Sequence, residues 1–307
     1  MLPSPMLSSL APSRPAPSAN GFLPQSFASD NISRKPLGIN TSASVHSTKL
    51  KVSQNQHLRK TQGEGSRYGY QLRLTGHATD RVSKSNQMTT PFVDTADDPP
   101  IRGFLHAPSP PSHGAIVLTH GAGANCESKL LIEMSNAFVA AGFAVLRFDL
   151  PFRSERPHGP PSPGSAARDR DGLRRAVALM KKRESGPIFL GGHSYGGRQA
   201  TMLVSEDPQL VDGLLLLSYP LHPPRKPEQL RTSHFPKLNK PAFFVHGTRD
   251  PFGTIPEMNS ALKLIPASHV LLEVDGAGHD LLIKKTFGEL PARVVSEFQT
   301  FVKKVVE

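Results

Sequence analysis

From Ile101 to the C-terminus, short continuous apolar runs alternate with stretches of helical periodicity, and this alternation narrows the possible folds more than any other feature. The runs are Ile101–His106, Ala115–Thr119, Phe143–Phe148, Ile188–Leu190, Leu214–Leu217, Ala242–Val245 and Val270–Val274. Between them, apolar residues recur at i, i+3, i+4 spacing: Leu130, Leu131, Met134 and Phe138 before a stop at Gly142; Leu173, Ala176, Val177 and Met180; Arg198–Val204; Met258–Ile265; and Leu290, Val294, Phe298 and Phe301, with Pro291 in the first turn. A strand with one wet face alternates apolar and polar residues. These runs do not, so they predict strands buried on both faces. The reading is an α/β domain: a mostly parallel sheet with helices on both faces, Ile101–His106 at its edge and Pro151–Pro163 as a Pro-rich loop. There is no internal repeat.

Residues 1–87 have another character. They are dense in Ser, Pro, Asn and Gln, with Phe22, Phe27, Tyr68 and Tyr70 as their aromatics. Such a segment buries too little apolar surface to offset chain entropy. It is expected to be a disordered basic tail, and residues 88–307 the folded domain. Two alternatives stay open: an organelle-targeting segment, and a native start at Met88, where acidic residues appear at once (Asp94, Asp97, Asp98). The whole chain has formal net charge +11. The tail holds 11 Lys/Arg against 3 Asp/Glu, the remainder 25 against 22, so the basicity belongs to the tail. No nucleic-acid partner is expected on the folded part. The single cysteine, Cys126, excludes an internal disulfide and a Cys-based metal cluster. With no apolar run of membrane-spanning length and no secretory signal, a cytoplasmic protein is expected.

The stretch that carries chemistry is Pro187–Arg198, PIFLGGHSYGGR. A strand enters Gly192-His193-Ser194-Tyr195-Gly196 and a helix leaves it, which is G-x-S-x-G in its strand–turn–helix setting. A tight turn lifts the serine hydroxyl above the sheet, and small flanking residues let strand and helix backbones approach. A hydroxyl is a weak nucleophile without a base, and the base needs a carboxylate to orient it. Asp250 stands just after the run Ala242–Val245, and His279 on a Gly-containing loop after Val270–Val274. Serine, acid and histidine therefore come in the order G-x-S-x-G hydrolases use, each beyond the C-terminal end of a strand, where ligands gather in open α/β sheets. Ser194 is the expected nucleophile, Asp250 the acid and His279 the base. Asp275 lies too close to His279 in sequence to be its orienter, and Asp280 reads as a cap of the following helix. Asp149 reads as structural or pocket-lining. His222 is the rival base. His120, His193 and His246 read as turn-forming side chains with local hydrogen bonds.

An acyl-transfer site also needs N–H donors for the developing oxyanion. Tyr195, directly after the serine, supplies one. The loop His120-Gly121-Ala122-Gly123-Ala124 supplies the other, with Ala122 chosen and Gly123 and Ala124 as rivals. That loop lacks the Lys and spacing of a phosphate-binding loop. Phe152, Tyr195, Tyr219, Leu221 and Phe252 are candidate walls or plain packing. Arg147, Arg153 and Arg156 are expected on the solvated surface, an anionic acyl group or peptide carboxylate being the alternative partner. No metal or organic cofactor is expected.

The segments HGAGAN, RFDLPFR, GGHSYGGR, HGTRDPFG and GAGHDLL resemble the α/β-hydrolase superfamily. More narrowly, they are similar to its small, lid-poor branch related to dienelactone hydrolases. They also resemble bacterial relatives of a testis-expressed vertebrate protein and of a subunit of a nuclear non-specific-lethal acetyltransferase complex. The resemblance spans roughly residues 101–306 and implies Ser194, Asp250 and His279 as a triad. The dienelactone branch commonly carries Cys as nucleophile, so Ser194 departs from it and that substrate is not implied. The short stretch Tyr219–Pro241 leaves no room for a helical lid, so an open, shallow pocket is expected. The expected activity is hydrolysis of small esters or amides. Because some relatives act as scaffolds, the alternative is a catalytically silent interaction module.

Overall fold

In the computed structural model, residues 88–109, 112–283 and 288–306 are described. They all fall in one unit of the chain, Gly76–Glu307. The expected tail, residues 1–87, lies outside the described residues.

The elements follow the sequence pattern closely. Strands are β1 Met88–Asp94, β2 Ile101–Ala107, β3 Ala115–Thr119, β4 Ala144–Phe148, β5 Ile188–His193, β6 Gly213–Leu217, β7 Ala242–Gly247 and β8 His269–Val274. Helices are α1 Lys129–Ala140, α2 Pro151–Glu155, α3 Ser165–Arg183, α4 Tyr195–Glu206, α5 Ile255–Leu262 and α6 Leu290–Val306. The sheet order is β1-β2-β4-β3-β5-β6-β7-β8. β1, β2 and β4 pair antiparallel, and every pairing from β4 to β8 is parallel.

Each central strand divides its side chains between two cores, as the unbroken apolar runs require. Val117, Leu146, Leu190, Leu216 and Phe244 pack under α3, α4 and α5. Ile116, Val145, Phe189, Leu215 and Phe243 pack under α1 and α6. Phe298 of α6 is the centre of the second core, edge-on to Phe138, Phe189 and Phe243 at centroid distances of 5.5, 5.1 and 5.7 Å. Truncating such a ring to Ala costs about 3–5 kcal/mol. Gly142, at φ 89°, ends α1 as expected. Thr254 and Glu257 close a capping box on α5.

Two sequence expectations are corrected. Ile101–His106 is not the sheet edge, because β1 lies outside it. Five of the seven β1 residues are exposed and none is buried, and Pro91 interrupts the strand, which suits only an edge position. β1 is paired with β2 along its whole length, and charge adds to this: Arg175 of α3 reaches Asp94 and the carbonyls of Asp97 and Pro99 just beyond the strand, and Arg183 lies 5.8 Å from the Phe92 ring. The Pro-rich stretch from Pro151 is not loop throughout, because Pro151 opens the single turn α2. Between β6 and β7 the chain makes only a 3-10 turn, Phe235–Lys237, so no substantial lid covers the sheet's C-terminal edge. Among the described residues no helix is long and apolar enough to cross a membrane.

Candidate active site

Ser194 is the one residue between β5 and α4, with φ 51° and ψ −114°. A side-chain-bearing residue at positive φ costs about 1–3 kcal/mol and persists only where its surroundings enforce it. Here the Ser194 N–H donates to the Leu217 carbonyl (2.9 Å), and its own carbonyl accepts from Arg198 N–H (3.0 Å). Space enforces it too: a Cβ on Gly196 would lie 2.6 Å from the His120 carbonyl oxygen, and one on Gly192 2.7 Å from that of Thr119. The small residues are therefore demanded by neighbouring β3, not only by the approach of α4 to β5.

The turn holds the Ser194 Oγ 2.8 Å from His279 Nε2. On the far side of the ring, His279 Nδ1 lies 2.8 and 3.0 Å from the two oxygens of Asp250. A carboxylate only accepts, so Nδ1 carries the proton and Nε2 presents its lone pair to the serine hydroxyl. The Asp250 carboxylate is sealed from solvent, while the His279 side chain is 20% exposed. Asp250 also accepts the Phe252 N–H (2.9 Å), and the Phe252 ring lies over the imidazole at 4.1 Å between centroids. His193 steadies the base from behind by donating its Nε2–H to the His279 carbonyl (2.8 Å). Burial pushes the His193 pKa down to about 4, so its ring is neutral.

The expected oxyanion donors are main-chain groups. Tyr195 opens α4, where an N–H has no intrahelical acceptor. Across the gap, the Gly121 carbonyl accepts from His120 Nδ1 (2.9 Å) and from Ala124 N–H (3.1 Å). A trans peptide is planar, so anchoring this carbonyl turns the Ala122 N–H the opposite way. The Ala124 N–H is spent in that turn, which leaves Ala122 and Gly123 as loop donors. Gly121 itself packs on the nucleophile, a Cβ there standing 3.3 Å from Ser194 Cβ.

A family model for the alpha/beta hydrolase domain matches residues 112–307. The chain belongs to the alpha/beta hydrolase domain family. Solved structures share this family member's fold at low identity. A dienelactone hydrolase from Anabaena variabilis is 18% identical, with TM-score 0.56, covering 70% of this chain and 97% of its own. Est1E from Butyrivibrio proteoclasticus is 14% identical, with TM-score 0.56, covering 69% and 99%. A serine hydrolase without lid from Xanthomonas campestris is 14% identical, with TM-score 0.54, covering 70% and 94%. The superfamily read from the motifs stands with the family match.

Other expectations about this hydrolase-family chain change. Arg147 and Arg153 are not solvated surface charges; both are buried, while Arg156 is exposed. Arg147 donates to His106 Nε2 (2.8 Å) and the Cys126 carbonyl (2.7 Å), with its guanidinium 4.1 Å from the Phe104 ring centre. Of the wall-or-packing candidates, Phe152, Tyr219 and Leu221 are buried in the core, which is the packing alternative. Asp149 is structural, accepting the Cys126 N–H at 2.7 Å. Burial pushes the Cys126 thiol up to about 12. His222 is engaged with Glu257 and the Pro223 carbonyl, away from Ser194. Among the described residues no helix begins at Asp280, which accepts the Leu282 N–H (3.1 Å) in a local turn. His120 is local through Gly121, but also accepts the Leu150 N–H (3.1 Å), and His193 and His246 reach beyond their turns.

Asp169 was not among the sequence candidates. Fully buried in α3, it accepts from Tyr195 O–H (2.7 Å) and Phe152 N–H (3.0 Å). Burial raises its pKa. The available signal was an Asp within an apolar helical face, since a carboxylate is seldom buried without partners.

Proposed function

We propose that this chain is a serine hydrolase that cleaves small ester or amide substrates through an acyl-enzyme. The observation that carries the reading is the unbroken chain from Asp250 through His279 to the Ser194 hydroxyl. Ser194 Oγ attacks the substrate carbonyl as His279 Nε2 takes its proton. Asp250 holds the imidazole in the correct tautomer and stabilises the imidazolium that forms. The N–H groups of Tyr195 and Ala122 receive the negative charge that develops on the carbonyl oxygen. Collapse of the tetrahedral intermediate breaks the acyl–heteroatom bond, and His279 returns the proton to the leaving alkoxide or amine. Water then repeats the sequence on the acyl-enzyme. Residues 88–307 form the hydrolase domain, and the short β6–β7 connection favours an open site suited to compact acyl groups.

The test is labelling of the full chain by a fluorophosphonate, together with hydrolysis of a panel of short-chain esters and amides. Est1E has been seen with ferulic acid bound, so aromatic acyl groups of that size belong in the panel. Labelling and turnover that both vanish in Ser194→Ala support the reading. Absence of both in the folded wild-type chain favours the silent interaction module instead.

A further inference from the structure

Arg153 lies in the one-turn helix α2 and is 6% exposed. No carboxylate among the described residues forms an ion pair with it. Its hydrogen bonds end on main-chain carbonyls instead. Nε donates to Ala124 (2.8 Å), Nη2 to Ala122 (2.8 Å) and Gly159 (3.0 Å), and Nη1 to Pro157 (2.7 Å) and Arg156 (3.2 Å). A guanidinium offers N–H donors in a rigid planar fork, and this one is used to join two loops. One is the oxyanion loop after β3. The other is the exposed stretch from Arg156 to Gly159.

Burying a charge against carbonyl dipoles alone is costly, and an apolar side chain of similar volume fills such a space more cheaply. What an apolar residue cannot do is fix the direction of a peptide plane. The Ala122 carbonyl belongs to the peptide that carries the Gly123 N–H, and anchoring it sets that N–H. The Gly121 carbonyl, held by His120, sets the Ala122 N–H in the same way. The Ala122 N–H is thus set by His120 within the loop and the Gly123 N–H by Arg153 from outside it. The residue beside Arg153 reaches the other donor. The Phe152 ring meets the Tyr195 and His120 rings edge-on at 5.7 and 5.6 Å, and Asp169 joins the Phe152 N–H to the Tyr195 hydroxyl.

We propose that Arg153 is a positioning residue for the oxyanion hole: its fork anchors the Ala122 and Ala124 carbonyls so that the loop's N–H groups face the Ser194 hydroxyl across from Tyr195. The proposal rests on the serine-hydrolase reading above. It acts on the transition state, because the oxyanion forms only there.

The test is Arg153→Ala in the full chain, with steady-state kinetics on an ester that the wild type cleaves. We expect kcat to fall about 10- to 100-fold, the scale of a misaligned or lost oxyanion donor, with KM changed less than about threefold. The shape of the kcat–pH profile stays as in wild type, because the Asp250–His279 pair is untouched. Millimolar methylguanidinium, which can refill the vacated fork, restores part of the lost kcat. Arg153→Lys keeps the charge but not the fork, and also loses kcat. An Arg153→Ala protein that folds and keeps kcat within about twofold overturns the proposal, as does one whose KM rises while kcat holds. Should Arg153→Ala fail to unfold cooperatively, Arg153→Lys decides: wild-type kcat there overturns the proposal, and reduced kcat with a cooperative melt supports it. A wild-type chain without labelling or turnover takes down the hydrolase reading and this one with it, whereas an active wild type beside an unimpaired Arg153→Ala overturns this one alone.

Discussion

The two flanks of the Ser194 hydroxyl are built by different means. On one flank, Asp250 and His279 act through their own side chains, each placed just beyond a strand and joined by direct bonds of 2.8 to 3.0 Å. On the other, the proposed acting groups are main-chain N–H groups of Tyr195 and the loop after β3. On the proposal above their direction comes from His120, Arg153, Phe152 and Asp169, whose side chains bond or pack on these segments. The first flank is therefore written in residue types and their order. The second is written in peptide orientations, which many sequences could produce and which depend on side chains from elsewhere in the fold. Removing a group from the first flank deletes chemistry. Disturbing the second only misaims it.

The largest effects should lie on the first flank. Ser194→Ala should abolish turnover and fluorophosphonate labelling while leaving the thermal midpoint near wild type, checked by kinetics and a melt on the same sample. Asp250→Asn should keep the fold but lower kcat by as much as about 10⁴, since an amide mis-sets the imidazole tautomer. Asp149→Asn and Asp275→Asn should leave the rate within a few-fold. If either is dead while Asp250→Asn is active, the acid is wrongly assigned.

A smaller effect is expected on the second flank. Tyr195→Phe keeps the donor N–H but removes the hydroxyl bonded to buried Asp169. Leaving that carboxylate one donor short costs about 1–3 kcal/mol, and misalignment of the turn should reduce kcat by no more than about tenfold. A loss as deep as that of Asp250→Asn would erase the contrast between the flanks.

Acid should loosen the sheet edge, remote from both flanks. His106 is 2% exposed, accepts at Nε2 from Arg147 and meets Thr89 through Nδ1. Burial, reinforced by the Arg147 charge, pushes its pKa down to about 4. In the unfolded chain an imidazole titrates near its ordinary value of about 6.5. Between these values the unfolded state binds more protons, so stability present above about pH 6.5 is lost as the pH falls towards about 4, on the order of 3 kcal/mol from this residue. Urea midpoints at pH 7 and pH 4.5 measure the loss. His106→Gln should reduce that difference, with buried His193 and His234 supplying part of the remainder, and an unchanged slope would remove His106 as a source.

The smallest effect concerns the chain before the first strand. A protein starting at Met88, where β1 begins, should melt within about a degree or two of the full chain and keep its turnover. A drop of several degrees would show that residues 1–87 contribute to the hydrolase domain.

The sequence by itself determined the layer order, because apolar runs of strand length between helical periods can bury both faces only in a helix-covered sheet. It also determined Ser194, Asp250 and His279 as candidates, because the order of residue types beyond strand ends is a one-dimensional signal. Tertiary structure alone decided the outer strand Met88–Asp94, whose exposed residues and Pro91 carry no apolar pattern and which is held by Arg175 from a distant helix. It alone decided that Arg147 and Arg153 are buried. An arginine reads as a surface charge until the carbonyls that satisfy it are in view, and those of Ala122 and Ala124 are brought to Arg153 only when β3 and β4 lie side by side. The peptide after Ala122 is anchored by a contact between segments far apart in the chain, which no local pattern of residues could have announced, whereas the Gly121 carbonyl is held by its neighbour His120.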